Sequence, residues 1–256
     1  MTVLDDAYLA MAEALDGEDA PRLRFYERLA DGELFLLLER EIEADRIEPR
    51  LFDLEEGMFA LVFDRERRLA DFTGGAAPFA ALSGRVAVDL LQGRGIGLGV
   101  NLGAPSAILL PAEAVDWLHG TLGQVPAEAE GVPEEVYPPA GVPEDLLNGL
   151  DGKAPAMAGL ARLAYLAGVT WKGGRRGHLL AFVDVAPGAE EGLARAVGEA
   201  LVFSGLDAGE VDVAFLRPSD PLAARLATVA LRVDLPEPPR AAPPAAPGSN
   251  GPPKLR

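Results

Sequence analysis

The sequence predicts an α+β protein of two small units, each a mixed, mainly antiparallel sheet packed with helices. Three observations lead there. Apolar residues recur at helical spacing in some segments and as short strand-like runs in others, in interleaved order. An acidic, proline-rich stretch at 124–145 interrupts that pattern. The length, 256 residues, is near the size at which one core tends to divide into two.

The first unit is expected over 1–123. Leu4, Tyr8, Met11, Ala12 and Leu15 fall on one helical face, and Leu23, Tyr26 and Leu29 do so again after Pro21 at a helix start. ELFLLLE (33–39), PRLFDLEE (49–56) and MFALVFD (58–64) are short apolar runs bounded by charge. A Glu56-Gly57 turn between the last two predicts an antiparallel pair. The stretch 78–93, with Phe79, Leu82, Val86 and Leu90 and a closing Gly93, reads as one helix that tolerates Gly84 inside it. The unit ends in a helix from Pro111 to about Gly120.

Residues 124–145 hold five prolines, six acids and no Lys or Arg, which predicts an extended acidic linker. The second unit, 146–235, opens on the helical EDLLNGL. Paired strands follow at 160–171 and 177–185 around a GGRR turn, then a helix with Leu193, Val197, Leu201 and Ser204. A strand at 211–215, a helix face of Leu222, Leu226 and Val229, and a strand at 231–235 complete it. Residues 236–256 hold eight of the 22 prolines and almost nothing to bury, as expected of a disordered tail rich in Pro and Ala.

The run GRGIGLGVNLG (93–103) raises the question of a phosphate cradle. A dinucleotide fingerprint needs G-x-G-x-x-G at the mouth of a helix, whereas Gly93, Gly95, Gly97 and Gly99 alternate without a break. Ile96 and Leu98 stand between them, and Val100 and Leu102 continue the same alternation. That is strand periodicity over 95–102, one face apolar and the other stripped of side chains. A neighbouring helix or backbone is expected to lie on the bare face. Asn101-Leu102-Gly103 then supplies a turn, and SAILLP a return strand.

Composition closes off several functions. The chain has no cysteine, which excludes thiol catalysis, disulfides, iron–sulfur clusters and Cys-based zinc sites. A net charge of −17 repels phosphate backbones, and KGGRR (172–176) is the one dense basic cluster. No apolar run approaches the roughly 20 residues of a membrane helix, and the acidic beginning is unlike a secretory leader. Hence the expectations are a cytoplasmic protein with no nucleic-acid or membrane partner.

The histidines stand apart in sequence. His119 follows Asp116 by three near a helix C-terminus, which suits a capping role better than a metal site. His178 lies beside the GGRR turn, where with Lys172, Arg175 and Arg176 it forms a candidate contact for an anion or a partner. Ser83 lacks the G-x-S-x-G elbow of a hydrolase. The acid pairs Glu55-Glu56, Glu134-Glu135 and Glu190-Glu191 read as solvated faces. No catalytic, metal or cofactor residues are assigned, and no cofactor is expected.

Taken together, LADGELFLLLE, FALVFDRERRLADF and SGRVAVDLLQGRGIGLGVNLGAPSAILLPAEAVDWL resemble the N-terminal domain of the SseB family, proteins named for enhanced serine sensitivity. The resemblance rests on Val62-Phe63, on Gly97, Leu98, Val100, Asn101 and Gly103, and on Glu113. Leu102 departs from it where the family often has Pro. LAYL, LLAFVDV and VDVAFL resemble the family's C-terminal domain more loosely. The family carries no established reaction or cofactor, so the resemblance implies architecture far more than any activity. The missing catalytic clusters, the two small α/β units and the exposed linker and tail lead to the expectation of a non-catalytic interaction or regulatory module with a protein partner. The alternatives are sensing of a small amino-acid or anionic ligand, or an unrecognised cofactor-independent enzyme.

Overall fold

The computed structural model describes residues 1–15, 19–41, 47–124, 126, 128–129, 131–205 and 211–237. Among them the chain forms eight helices and eleven strands arranged around two sheets, an α+β fold. Most of the tail expected over 236–256 lies outside the described residues.

The first sheet is built from β1 (Glu33–Leu37), β2 (Leu51–Leu54), β3 (Gly57–Phe63), β4 (Phe79–Ser83), β5 (Ile96–Val100) and β6 (Ile108–Leu110). Its order is β4-β1-β3-β5-β6, with β2 sharing with β1 one edge of β3. Only β3 and β5 run parallel. Strand alternation divides the side chains cleanly. Leu34, Leu36, Ala60, Val62, Leu98 and Val100 face a core shared with α1 (Val3–Glu13), α2 (Asp19–Asp31), α4 (Gly84–Leu91) and α5 (Ala112–Leu122). Leu37, Leu61 and Phe63 point the other way, onto Leu69 of α3 (Glu66–Thr73).

The expected 78–93 helix is in fact two elements. Phe79–Ser83 is a strand paired with all of β1, and the helix begins at Gly84, with the Ser83 hydroxyl accepting the Val86 N–H. Gly84 is what decides the break. Its N–H donates to the Gly32 carbonyl, and any Cβ there would land on the Leu29 carbonyl oxygen. The glycine is thus demanded by a close backbone crossing with the end of α2. Helix α3 was not expected from periodicity; it is short and exposes half of its residues, closing on Gly74 at φ 75°.

Over 95–102 the strand reading holds for Ile96–Val100, beside β3. Two details differ. The bare face is covered mainly by side chains of the neighbouring strands, and at Gly97 also by backbone as expected, since a Cβ there would fall 2.6 Å from the Leu110 carbonyl oxygen. A Cβ on Gly97 would fall 2.5 Å from the Phe59 ring, and one on Gly99 2.5 Å from a Leu61 methyl carbon. Leu102 also leaves the alternation. Asn101 adopts φ 51°, which redirects the chain and seats Leu102 on the Leu37/Leu61/Phe63 cluster, opposite Leu98 and Val100. The β2–β3 turn is likewise one residue earlier than read, since Leu54 pairs with Gly57 and leaves Glu55-Glu56 as the loop.

The second sheet has the order β10-β9-β8-β11, from β8 (Ala161–Thr170), β9 (Arg176–Val185), β10 (Val211–Leu216) and β11 (Leu231–Asp234), with β7 (Glu135–Tyr137) also on β8. β9 and β10 are parallel, and the other pairs antiparallel. Helices α6 (Glu144–Lys153) and α7 (Glu190–Phe203) cover one face and α8 (Pro221–Val229) the other. The acidic stretch 124–145 runs along this sheet. Pro126 is buried, Glu128 bridges to Val213, and β7 lies within the stretch. The helical layers of the two sheets face each other, and Phe203 at the end of α7 is buried in the first core.

Two glycines predict opposite outcomes in urea unfolding. Gly84→Ala should destabilise the protein by about 3 kcal/mol, because Cβ meets backbone that cannot yield. Gly120→Ala, in α5 with open space around it, should stabilise by up to about 1 kcal/mol.

Candidate functional site

Two clusters of charged side chains stand out by their burial. The first begins with the cap of α1. Thr2 Oγ1 accepts the Asp5 N–H at 3.1 Å, and Asp5 Oδ2 accepts the Thr2 N–H at 2.8 Å. Asp5 also receives Arg68 at 2.9 and 2.6 Å and the Ser106 hydroxyl at 2.5 Å. Four residues before Arg68, Asp64 accepts Arg68 Nη1 at 2.8 Å and Thr2 Oγ1 at 2.5 Å. Asn101, fully buried, accepts the Asp64 N–H with Oδ1 at 3.0 Å and donates from Nδ2 to Ser106 Oγ at 3.2 Å. The left-handed backbone at Asn101 turns its amide inward to do this.

The hydrogen bonds from Arg68 hold the Asp5 carboxyl far below the ordinary carboxylate range; burial opposes them, and the donors from Ser106 and Thr2 add to them. Asp5 correspondingly raises Arg68. With Arg68, the Thr2 N–H and the Ser106 hydroxyl all donating to it, Asp5 acts in this cluster as a shared acceptor that holds those groups in place.

The second cluster lies in the seam between the helical layers. Lys153, 2% exposed, ends α6 with its ammonium 2.7 Å from Asp31, 3.1 Å from Glu199 and 3.4 Å from Glu27. Arg85, from the first turn of α4, donates to Glu199 at 2.5 and 2.6 Å and also to Asp31. Glu199 is as deeply buried as Lys153. Burial pushes the Asp31 carboxyl up, but the bonds from Lys153 and Arg85 outweigh it and leave it lowered. Arg85 is raised, chiefly by its bond to Glu199. Two cations and three acids from both halves thereby neutralise most of one another's charge.

The residues proposed from sequence at 172–178 lie around the β8–β9 turn but are largely engaged. Arg175 pairs with Asp212 at 2.9 Å and lies 5.2 Å from the centre of the Trp171 ring. Arg176 stands over Tyr137, and His178 Nε2 is 3.1 Å from the Ala140 carbonyl. Lys172 is exposed on the turn. His119 is 3.3 Å from Asp89, while Asp116 instead accepts the Gly93 N–H at 2.7 Å. Of the pattern residues, Gly97 takes the Phe59 ring, Asn101 knits the first cluster, and Gly103 forms the left-handed turn residue two positions later. Among the described residues, no three His, Asp or Glu side chains are grouped so as to hold a metal ion.

Part of the first cluster lies in the segments that carry the family pattern, while Thr2 and Asp5 precede them. Residues 6–117 match the family model for the SseB protein N-terminal domain. The SseB match spans α1 almost from its start to the middle of α5 and includes Asp64, Arg68, Asn101 and Ser106. No curated protein and no solved structure significantly matches the chain.

Neither cluster was assigned from sequence. The Asp64/Arg68 spacing of four was a usable signal for a local ion pair, although Asp64 lies just ahead of α3 and not within it. Lys153 and Glu199, 46 positions apart, had none, because their meeting depends on how α6 crosses α7 and α2. The first cluster yields a pH-dependent prediction. Asp5 ionises more readily folded than unfolded, so its stabilisation is complete above the ordinary carboxylate range, begins to fade as pH falls into that range, and is lost only as pH approaches the lowered value of the folded state. In urea unfolding, Asp5→Asn should be less stable than wild type by about 2 kcal/mol at pH 7, and the two should converge on acidification below about pH 5.

Proposed function

We propose that the chain is a cytoplasmic, non-catalytic interaction or regulatory module of the SseB type. In this reading an N-terminal domain at 1–123 and a looser SseB-like C-terminal domain at 146–235 are joined by the acidic segment 124–145. What carries the reading is the closure of the two charged clusters. The carboxylates of Asp5, Asp64 and Glu199 are taken up by intramolecular donors, and the cations that serve them are held in turn. Groups satisfied in this way stabilise structure and offer no free base or nucleophile.

The surface, by contrast, presents large apolar groups. Trp117 is 42% exposed beside the Tyr26 ring, and Phe72 is 39% exposed beside Phe52 and Phe63. Such groups suit protein contact.

A second reading is supported by a polar cleft of about 290 Å³ between α2, α6 and the end of α7, lined by Arg24, Arg28, Asn148 and Ser204 together with Glu27 and Asp145. Arg24 lies 3.7 Å from Asp145, which leaves Arg28 as the group suited to the carboxylate of a small metabolite that also carries an amine for the acids, such as an amino acid.

Affinity purification of the tagged full chain from its native cells, followed by thermal melting of the pure protein against metabolites, tests both. The interaction reading expects one protein recovered in stoichiometric amount and a melting temperature unmoved by small acids. Turnover of a metabolite, with no partner recovered, would overturn it. A melting temperature that rises with one small acid would favour the second reading.

A further inference from the structure

The strand β10 forms one border of the second sheet. Among the described residues, its outer edge is occupied over only part of its length. Glu128 bridges to Val213, whose carbonyl accepts the Ala129 N–H at 2.8 Å. The chain then leaves the edge through Gly131 at φ 92°, and Arg225 of α8 fastens it by donating to the carbonyls of Pro133 at 3.1 Å and Glu134 at 2.9 Å. Strand alternation turns the N–H and carbonyl of Phe215 to the same edge as those of Val213. Among the described residues, no hydrogen bond reaches them there.

Beside this open backbone lies a groove of about 370 Å³ whose apolar lining includes Val132, Ala214, Phe215, Leu216, Pro221 and Leu222. Val132 stands 66% exposed at its lip. The surrounding charge is mainly negative. Glu128 and Asp220 border the groove, and Asp184 and Glu190 lie around the end of the strand. Against them stand Arg217 and an Arg225 already engaged with two carbonyls.

We infer that this edge is a docking site for an extended segment of a partner protein, apolar at alternate positions and carrying Lys or Arg at its ends. The inference rests on the interaction reading above and gives it a surface. The open backbone demands an extended occupant that can exchange main-chain hydrogen bonds, the groove takes alternate side chains, and the acidic border selects basic ends. Two other occupants fit less well. A second copy brings its own charge of −17 and the same acidic border. The chain's own residues 238–256 include seven prolines, which have no N–H to give to an edge.

The test uses the full chain and fluorescence anisotropy with labelled probe peptides. One alternates valine and threonine between pairs of lysines, a second carries glutamates at its ends, a third is N-methylated along one edge, and a fourth is the 236–256 sequence. The lysine-ended peptide should bind saturably, and the glutamate-ended and N-methylated peptides should not. Val132→Ser, at an exposed position that the fold does not need, should weaken binding roughly tenfold. Glu128→Gln should lessen the dependence on lysine and on salt.

Failure of the lysine-ended peptide to bind would overturn the proposal, as would binding indifferent to N-methylation and to Val132→Ser. Tighter binding by the 236–256 peptide would assign the groove to the chain itself, and dimerisation abolished by Val132→Ser would assign it to a second copy; either result overturns the partner assignment. If a stoichiometric partner from native cells stays bound to Val132→Ser and Glu128→Gln, this surface is wrong while the interaction reading survives.

Discussion

The ammonium of Lys153 is the constraint around which the two halves are arranged. A cation 2% exposed among helices costs several kcal/mol in lost hydration unless acids surround it. The acids come from both sides of the seam: Glu27 and Asp31 from α2, Glu199 from α7. Arg85 of α4 then offsets one of the two surplus negative charges. No element can shift far without stranding a buried charge, so the cluster specifies one packing of the helical layers. Phe203, seated in the first core and 5.5 Å from the Lys153 ammonium at its ring centre, ties the apolar and ionic parts of the seam together.

The cluster around Asp5 does the same work inside the first half. It ties the start of α1, the end of β3, α3 and the turn after β5 to one guanidinium. Asn101 is the pivot, since its left-handed backbone and its side-chain amide are used at once. Closure of both networks is also why the functional reading falls on surfaces and away from buried polar chemistry.

What was legible in the sequence follows from which forces are local. The strand at Ile96–Val100 and the β8–β9 hairpin were visible because alternation and turn chemistry are properties of neighbours in the chain. The break at Gly84 was not. Its cause is the carbonyl of Leu29, and without that contact Phe79, Leu82, Val86 and Leu90 read as one helical face. Leu102 was misplaced for a similar reason, since the turn that redirects it depends on the buried partners of Asn101. The turn at 172–178 was located correctly as a cluster of cations, but cross-strand partners such as Asp212 and Tyr137, which engage those cations, are set by sheet register.

The most direct test of the account compares Lys153 with Lys153→Met in urea, read separately from each half through its own tryptophan. Trp117 reports on the first half in the Trp171→Phe background, and Trp171 on the second in the Trp117→Phe background. With Lys153 present the two transitions should coincide. In Lys153→Met they should separate and the overall stability fall by about 3 kcal/mol, because Glu27, Asp31 and Glu199 keep Arg85 alone. Coincident transitions with an unchanged midpoint in the variant would mean that the seam does not depend on this charge, and the account would be wrong.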